Sequence, residues 1–599
     1  MNIKDAVRTL FFREEQQSAN NQLYTIWGEK LDPEKVLKEY PRPQLRRDNY
    51  TILNGYWDYC ITKEDIKPEI FEGKILVPFS PESILSGVNR QLKPDEYLWY
   101  ERSLSLEEIP EGKRIILHFG AVDQRCEIYI NGREAAEHQG GYLPFAIDIT
   151  GYVKEGENLL TVKVTDVSET SYHSRGKQKL ARGGMFYTAQ SGIWQTVWYE
   201  WVPDTYITHI KLTPRLDQGE LELNIFLNAP LTRQPQDLRY QVVIKEEGRL
   251  LQEASSTEGR FNIKLEKLIC WSPENPFLYG LDITVGEDRI ESYFAMRSVE
   301  LKKDVAGLTR IFLNKKPYFQ NGLLDQGYWP DGLYTAPSDE ALIYDIEQAK
   351  ALGFNMLRKH IKIEPLRWYY HCDRLGMLVW QDMVNGGEEY NQLLVGYLPT
   401  LLPGVAARIK DKHYKLLGRE SLEGRREWSM ECRQTVELLY NCPSIVVWVP
   451  FNEGWGQFDA KEAYRLIKEL DSTRLIDHAS GWFDQGIGDF ESIHNYFHPL
   501  KVKHKNRAVI FSEIGGYACY IMEHSFSWRV YGYKIYLTKE DFNKAYQGLY
   551  RDELAKLYHM GLSAVVYTQL SDVEDEVNGL LTYDRKVCKA APLTDWMDE

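Results

Sequence analysis

No run of about 18 consecutive apolar residues occurs anywhere in the chain, which excludes a membrane-spanning helix. The opening segment, Met1-Asn-Ile-Lys-Asp-Ala-Val-Arg8, has no apolar core of a secretory leader, so cytoplasmic residence is the default expectation. Cysteine is sparse. The 8 residues (Cys60, Cys126, Cys270, Cys372, Cys432, Cys442, Cys519, Cys588) form no CxxC pair, so free thiols are expected, with neither a disulfide framework nor a zinc site. Positive charge is also short, with 72 Lys and Arg against 87 Asp and Glu and a net charge of −15, which argues against nucleic acid or an anionic membrane as partner. The most basic stretch, Arg175-Gly-Lys-Gln-Lys-Leu-Ala-Arg182, reads as a solvated loop. Repeats and low-complexity tracts are absent.

What is present in quantity is length and aromatic surface. At 599 residues the chain exceeds what one hydrophobic core serves, so two to four domains are expected. Aromatics make up 13 %, including 39 Tyr and 16 Trp. Such rings stack on sugar faces, and they also fill β-sandwich cores.

Residues 1–203 read as one all-β domain. Alternating runs such as Arg114-Ile-Ile-Leu-His-Phe-Gly120, Cys126-Glu-Ile-Tyr-Ile130 and Leu159-Leu-Thr-Val-Lys-Val164 are separated by Asn131-Gly132, Gly140-Gly141 and Glu155-Gly156, as in a sandwich of hairpins. From 204 to 300 the pattern restarts, with about seven strands in about a hundred residues, which suits an immunoglobulin-like sandwich. From 301 to 599 strands alternate with amphipathic helices. Ser338 reads as an N-cap, followed by Leu342, Ile346, Ala349 and Leu352 at helical spacing and by Gly353 as the stop. Strand ends are expected near Gln320–Gly322, Arg358–His360, Gln381–Asp382, Asn452–Glu453, His478–Trp482, His494–Tyr496, Ser512–Glu513 and Tyr567–Gln569, a (β/α)8 barrel's count. The segment 385–426, with Gly386, Gly387, Pro399, Pro403 and Gly404, is too long for an ordinary connection and reads as a wall or lid, or as a decorative insertion.

Two of those strand ends carry one carboxylate each, in Ser444-Ile-Val-Val-Trp-Val-Pro-Phe-Asn-Glu453 and Ala508-Val-Ile-Phe-Ser-Glu513. Barrel enzymes keep their chemistry at the C-terminal strand edge, and glycoside cleavage needs two carboxyl groups there. His494 and His498 have the spacing of metal ligands on a helix but fall at a strand end, so no metal is expected from them.

The sequence resembles glycoside hydrolase family 2, the group of β-galactosidases, β-glucuronidases and β-mannosidases. The motifs that carry this are Pro41–Asp48, Leu53–Asp58, Val77–Ser83, Tyr97–Tyr100 and Ser191–Trp198 in the first domain, then Gly353–His360, Cys372–Asp382, Asn452-Glu453, Ser512–Gly515, Thr568–Asp572 and Glu576–Arg585. The resemblance implies an N-terminal jelly-roll sugar-binding domain before the immunoglobulin-like sandwich and the catalytic TIM barrel. It implies a retaining mechanism with Glu453 as general acid/base and Glu513 as nucleophile, Asn452 on the sugar 2-OH, Arg358 orienting Glu513, and Tyr496 donating to it. His360, Asp382, Trp482 and Tyr567 would complete the substrate site, with no cofactor and no metal. Family β-glucuronidases read the sugar carboxylate with an Asn-x-Lys-Gly motif whose Lys is absent from Val577-Asn-Gly-Leu-Leu-Thr-Tyr-Asp-Arg585, unless Arg585 or Lys586 replaces it. A β-galactosidase-like exo-glycosidase acting on neutral sugars of a glycoside or oligosaccharide is therefore the leading expectation. An α-L-arabinofuranosidase or a β-glucuronidase is the alternative within the family, and a non-catalytic carbohydrate-binding protein the alternative outside it. A homo-oligomer stays open.

Overall fold

The structure, a computed structural model, describes residues 22–228, 238–391, 393–502, 506–594 and 596–597. Its first sandwich pairs a six-stranded sheet, in the order Gly73–Val77, Gly55–Thr62, Tyr97–Leu106, Gly156–Thr165, Arg125–Ile130 and Arg133–Gln139, with a four-stranded one. The latter runs Tyr50–Ile52, Val197–Pro203, Lys113–Phe119 and Phe145–Asp148. Alternation does what the sequence pattern requires: Cys126, Ile128 and Ile130 turn inward onto Trp57, Leu98, Tyr100 and Leu117. Asn131 (φ 52°) and Gly132 (φ 75°) are both left-handed, as a two-residue hairpin turn demands, and close Ile130 onto Arg133.

The second sandwich has seven strands among the described residues, in line with the expectation. Ile207–Arg215, Glu220–Leu227 and Arg260–Lys264 face a sheet of Arg249–Ser256, Tyr240–Glu246, Tyr279–Val285 and Asp288–Phe294. The two sandwiches are clamped by Arg47, from the Pro41–Asp48 motif. Its guanidinium donates to both Asp288 carboxylate oxygens (2.9 and 2.7 Å), to the Ile207 carbonyl (2.6 Å) and to Glu200 (3.2 Å), and all of these side chains are buried.

Eight parallel strands follow: β1 (Gln320–Asp325), β2 (Met356–Lys359), β3 (Leu378–Asp382), β4 (Ile445–Val449), β5 (Leu475–Ile476), β6 (Phe490–Asn495), β7 (Ala508–Gly515) and β8 (Leu562–Thr568). They pair in the order β5-β4-β3-β2-β1-β8-β7-β6, a nearly closed (β/α)8 barrel with its seam between β5 and β6. The principal helices are α1 (Asp339–Ala351), α2 (Leu366–Leu375), α3 (Leu422–Leu439), α4 (Ala460–Leu470) and α5 (Lys539–Gly548). Ser338 caps α1 by accepting from the Ala341 amide, as expected, and Gly353 (φ 92°) turns the chain into β2.

Period-two alternation sorts the barrel side chains into two layers. Leu324, Met356, Leu378, Trp380, Ile510, Ala564 and Val566 fill the interior, which Trp271, Ile311 and Leu313 plug at one end. Leu323, Leu357, Val379, Phe511, Val565 and Tyr567 face the helices.

The long connection between β3 and α3 ends at Ser421, whose hydroxyl caps α3, so it stops short of the expected residue 426. It is built of short turns at Leu393–Tyr397, Leu398–Leu401, Pro403–Ala406 and Tyr414–Leu417. Tyr390, Val395, Ala406 and Leu417 pack with Trp455 and Phe483 at the barrel's C-terminal end.

Removing one partner of a buried, hydrogen-bonded charge cluster leaves the others uncompensated, at a cost of about 3–5 kcal/mol. Arg47→Met should therefore destabilise the junction of the two sandwiches by about that amount, seen as a lower midpoint in urea unfolding; an unchanged midpoint would show that the clamp contributes nothing net.

Candidate active site

Seven of the expected residues meet at the C-terminal end of the barrel, and the backbone explains how each reaches it. Met356 points inward, so Arg358 two residues on does as well. Arg358 is fully buried, and one guanidinium serves three side chains and a carbonyl: Asp382 at the end of β3 through Nε and Nη2 (both 3.0 Å), Glu513 and the Ser512 carbonyl through Nη1 (both 3.0 Å) and Asn452 Oδ1 through Nη2 (2.8 Å). No other side chain of the standard set offers so rigid a fork.

Glu513 is inward because β7 is irregular. Phe511 pairs with Val565 and Ile514 with Tyr567, so three steps on β7 oppose two on β8. This bulge inserts an extra residue, and both Ser512 and Glu513 turn to the interior where strict alternation would send one of them out. Ser512 bonds Ser492 (2.6 Å), while Glu513 meets Arg358 and accepts from the Tyr496 hydroxyl. Tyr496 also lies 3.1 Å from the Thr568 hydroxyl and stacks on Tyr533, ring centres 3.6 Å apart.

Glu453 follows β4 in a left-handed conformation (φ 54°) that side chains rarely adopt. Its amide donates to the Ser480 carbonyl (2.9 Å), which holds the turn against the end of β5. Gly454 (φ 75°) and Gly456 (φ 65°) follow, and a Cβ on them would run into the Phe483 ring and the Gly386 carbonyl. Close approach therefore demands glycine on both sides of Trp455, which is stacked between Phe186 and Tyr390.

His494 joins the two carboxylates. Its Nδ1 is 2.8 Å from Glu453 Oε1, and its Nε2 is 3.0 Å from Ser480 Oγ and 3.6 Å from Glu513 Oε1. Ligating atoms of Glu453, His494 and Glu513 all lie within 4.8 Å of one another. Three such donors can hold a cation. Against that, the Arg358 guanidinium already occupies Glu513 at 3.0 Å and would repel one. His498 is exposed, so the expected His494–His498 spacing does not form a shared site.

The two carboxyl groups are tuned in opposite directions. Burial, then the charge of Glu513, pushes Glu453 above the ordinary carboxylate range. Burial acts on Glu513 too, but His494 and the permanently charged Arg358, with the Tyr496 hydroxyl, hold it below that range. His360 donates from Nδ1 to Asp382 Oδ2 (2.9 Å); burial, then the Lys177 charge, holds its imidazole well below the usual range and hence neutral. A neutral ring that donates from Nδ1 leaves Nε2 as an acceptor.

Trp482 stands at the rim, half-buried, with its Nε1 on the His494 carbonyl (3.3 Å). Tyr567 is not in the constellation. It faces the helix layer, fully buried against Tyr546 of α5 (5.3 Å between ring centres) and Tyr517, because Val566 before it takes the inward position and Thr568 after it faces Tyr496. The sequence reading of Arg175–Arg182 as a solvated loop is also overturned. Arg175, Lys177 and Gln178 are buried at the barrel mouth, and Arg182 reaches Glu574 (3.5 Å) and Asp575 (3.4 Å) beyond β8. Charge counting missed this because charge alone does not reveal the carbonyls and rings that receive it. Arg585 is bound to Asp345 (3.2 and 3.0 Å) and Lys586 to Glu29 (2.5 Å), so neither is a free cation. A cavity of about 260 Å³ lies elsewhere, lined by His118, Trp198, His209 and Asn441 among others and by none of the residues that meet around Glu513.

Among known proteins, three family models match in succession: the sugar binding domain of glycosyl hydrolases family 2 over residues 87–201, the family 2 domain over 205–297, and the family 2 TIM barrel domain over 309–506. A β-galactosidase of Thermoanaerobacter pseudethanolicus is 24 % identical over 453 residues, 71 % of this chain and 55 % of that protein. A putative β-glucuronidase of Formosa agariphila is 27 % identical over 370 residues, 59 % of this chain and 39 % of that protein. The chain thus spans about half or less of these curated relatives. The solved β-glucuronidase of Ruminococcus gnavus shares the fold with a TM-score of 0.70 at 17 % identity, over 92 % of this chain and 97 % of that one. With all three domain types in the family's order, the chain belongs to glycosyl hydrolase family 2.

Proposed function

We propose that the protein is a retaining exo-glycosidase that works by double displacement, with Glu513 as nucleophile and Glu453 as general acid/base. The observation that carries this reading is the close approach of the two carboxyl groups, whose oxygens come within 4.8 Å. Retaining enzymes hold the pair about 5–5.5 Å apart, whereas inverting enzymes need room for a water and about 6.5–9.5 Å. Their opposite tuning supports the division of labour, since an ionised group can attack and a protonated one can donate.

In the first step Glu513 attacks the anomeric carbon while Glu453 gives its proton to the departing glycosidic oxygen, leaving a glycosyl ester on Glu513. Glu453, now ionised, takes a proton from water, which attacks the same carbon and releases Glu513. Two inversions give net retention. Asn452 is fixed by Arg358 through Oδ1, and its buried Nδ2 has no protein acceptor, which suits donation to the sugar 2-OH. The neutral His360 offers Nε2 to a hydroxyl, and Trp482 offers an aromatic face at the rim.

For the sugar, the segment after β8 holds no unpaired cation among the described residues, since Arg585 pairs with Asp345, Lys586 with Glu29 and Lys589 with Asp572. That supports a β-galactosidase-like reaction on a neutral sugar, with α-L-arabinofuranoside as the related alternative. A second reading, in which the substrate carries a carboxylate, is favoured by Lys177 and developed below.

Glu513→Gln should lower turnover of aryl glycosides by at least about 1,000-fold, and undiminished turnover would refute the assignment. Glu453→Ala should cost about 100- to 10,000-fold on glycosides with poor leaving groups and far less on a dinitrophenyl glycoside.

The pH dependence follows from the directions of the shifts. Activity is lost as pH falls through the lowered pKa of Glu513 and as pH rises through the raised pKa of Glu453. Glu453→Ala should abolish the alkaline limb of kcat/KM, and Arg358→Met should move the acid limb upward. An alkaline limb that survives in Glu453→Ala would assign the proton donor elsewhere.

A further inference from the structure

We propose that Lys177, carried into the barrel mouth by a loop of the N-terminal sandwich, is a specificity-determining residue that binds a carboxylate borne by the glycoside. The inference rests on the glycosidase reading of the adjoining site.

Five lysines are buried among the described residues: Lys163, Lys177, Lys359, Lys362 and Lys589. Four have carboxylates. Lys163 pairs with Asp65 (2.8 Å) and Glu127 (2.7 Å), Lys359 with Asp325 (2.6 Å) and Glu364 (2.8 Å), Lys362 with Glu364 (2.9 Å), and Lys589 with Asp572 (2.6 Å). Lys177 is 7 % exposed and its ammonium has neither an ion pair nor a hydrogen-bond acceptor among the described residues. It faces only the rings of Tyr187 (5.5 Å) and Trp455 (5.8 Å). Aromatic faces attract a cation but replace little of the hydration it loses. In a chain with 87 acidic side chains, a lysine whose stem is buried and whose ammonium opens on the barrel mouth with no carboxylate beside it is an exception that suits an anionic ligand.

The side chain is held in place. The amides of Arg175 and Gly176 donate to the Asn385 carbonyl (2.9 and 3.1 Å), and Gly176 (φ 63°) presses so closely on Tyr334 and the Ile361 carbonyl that a Cβ would crowd both. On the other side, Gln178 is tied to Asp123 (3.2 Å), Tyr142 (3.0 Å) and the Gln190 amide (2.7 Å). Lys177 between them is left to the site, where its charge acts on His360 and on Glu453. Two buried donors, Trp455 Nε1 and Asn452 Nδ2, lack acceptors among the described residues. A ligand rich in acceptors suits all three, and only an anionic one neutralises the ammonium. The carboxylate has two sources, the sugar that is released or the unit it is released from.

The test compares wild type, Lys177→Met and Lys177→Arg on three substrates: 4-nitrophenyl β-glucuronide, 4-nitrophenyl β-galactoside and 4-carboxyphenyl β-galactoside. Wild type should favour one carboxylated substrate over its neutral counterpart, and which one identifies the source. Lys177→Met should lower kcat/KM on that substrate by about 30-fold or more relative to its effect on the neutral galactoside, chiefly through KM; Lys177→Arg should restore part of that difference. An equal loss on all substrates, or none on the carboxylated ones, overturns the inference. Calorimetric titration with glucuronate against glucose reads the ammonium without turnover. Wild type that turns over only the neutral galactoside and shows no preference for glucuronate refutes the role of Lys177 alone. No turnover of any glycoside, with a glucuronate preference that Lys177→Met abolishes, refutes the glycosidase reading and keeps the ligand.

Discussion

The site depends on one buried charge. Arg358 lies inside a barrel whose other interior side chains are largely apolar, and a guanidinium cannot shed its proton to relieve the cost of burial. Compensation must come from fixed acceptors, and three strands supply them at or just past their C-terminal ends: Asp382 on β3, Asn452 after β4 and Glu513 on β7. Because the fork is planar and rigid, satisfying it also fixes where those acceptors stand relative to one another. The same charge then helps hold the Glu513 carboxyl below the ordinary carboxylate range, and the Glu513 charge is one reason, after burial, that Glu453 lies above it. Charge compensation and catalytic tuning are thus one arrangement, and loss of any member would disturb both.

The N-terminal sandwich is part of the site rather than an appendage. Its loop from Ser174 to Thr188 is bound to the segment after β3 through Asn385 and Gly386, and to the segment after β8 through Arg182, Tyr187 and Thr188 on Glu574 to Glu576. The β3–α3 connection packs against the same region through Tyr390 and Trp455, with Phe186 on the other face of the indole. The mouth of the barrel is therefore walled by elements from two domains.

Much of this was legible in the chain itself because it depends on short-range pattern. Hairpins at Asn131-Gly132 and the cap at Ser338 follow from local backbone preference, and most strand ends follow from apolar runs that finish in polar residues; the first does not, because Gln320–Gly322, expected to end a strand, opens β1, which ends at Asp325. Glu453 and Glu513 stood out at those ends, the family resemblance added Arg358, Asp382, Asn452 and Tyr496, and all six meet. Tyr567 was misplaced because a strand-end position does not specify a face: one step of alternation separates it from the inward Thr568. Glu513 shows the converse, since alternation alone would not have brought both Ser512 and Glu513 inside; the bulge against β8 does.

By itself, then, the sequence determined the order of domains, the period of each element and the residue types delivered to the barrel's C-terminal edge, since these rest on interactions between near neighbours. Only the tertiary structure decided which face each strand-end residue shows, how closely the two carboxyl groups approach, and that a lysine from the first sandwich stands at the barrel mouth with no carboxylate partner among the described residues. Those are matters of register between strands and of burial between domains, and both are set by contacts among segments hundreds of residues apart.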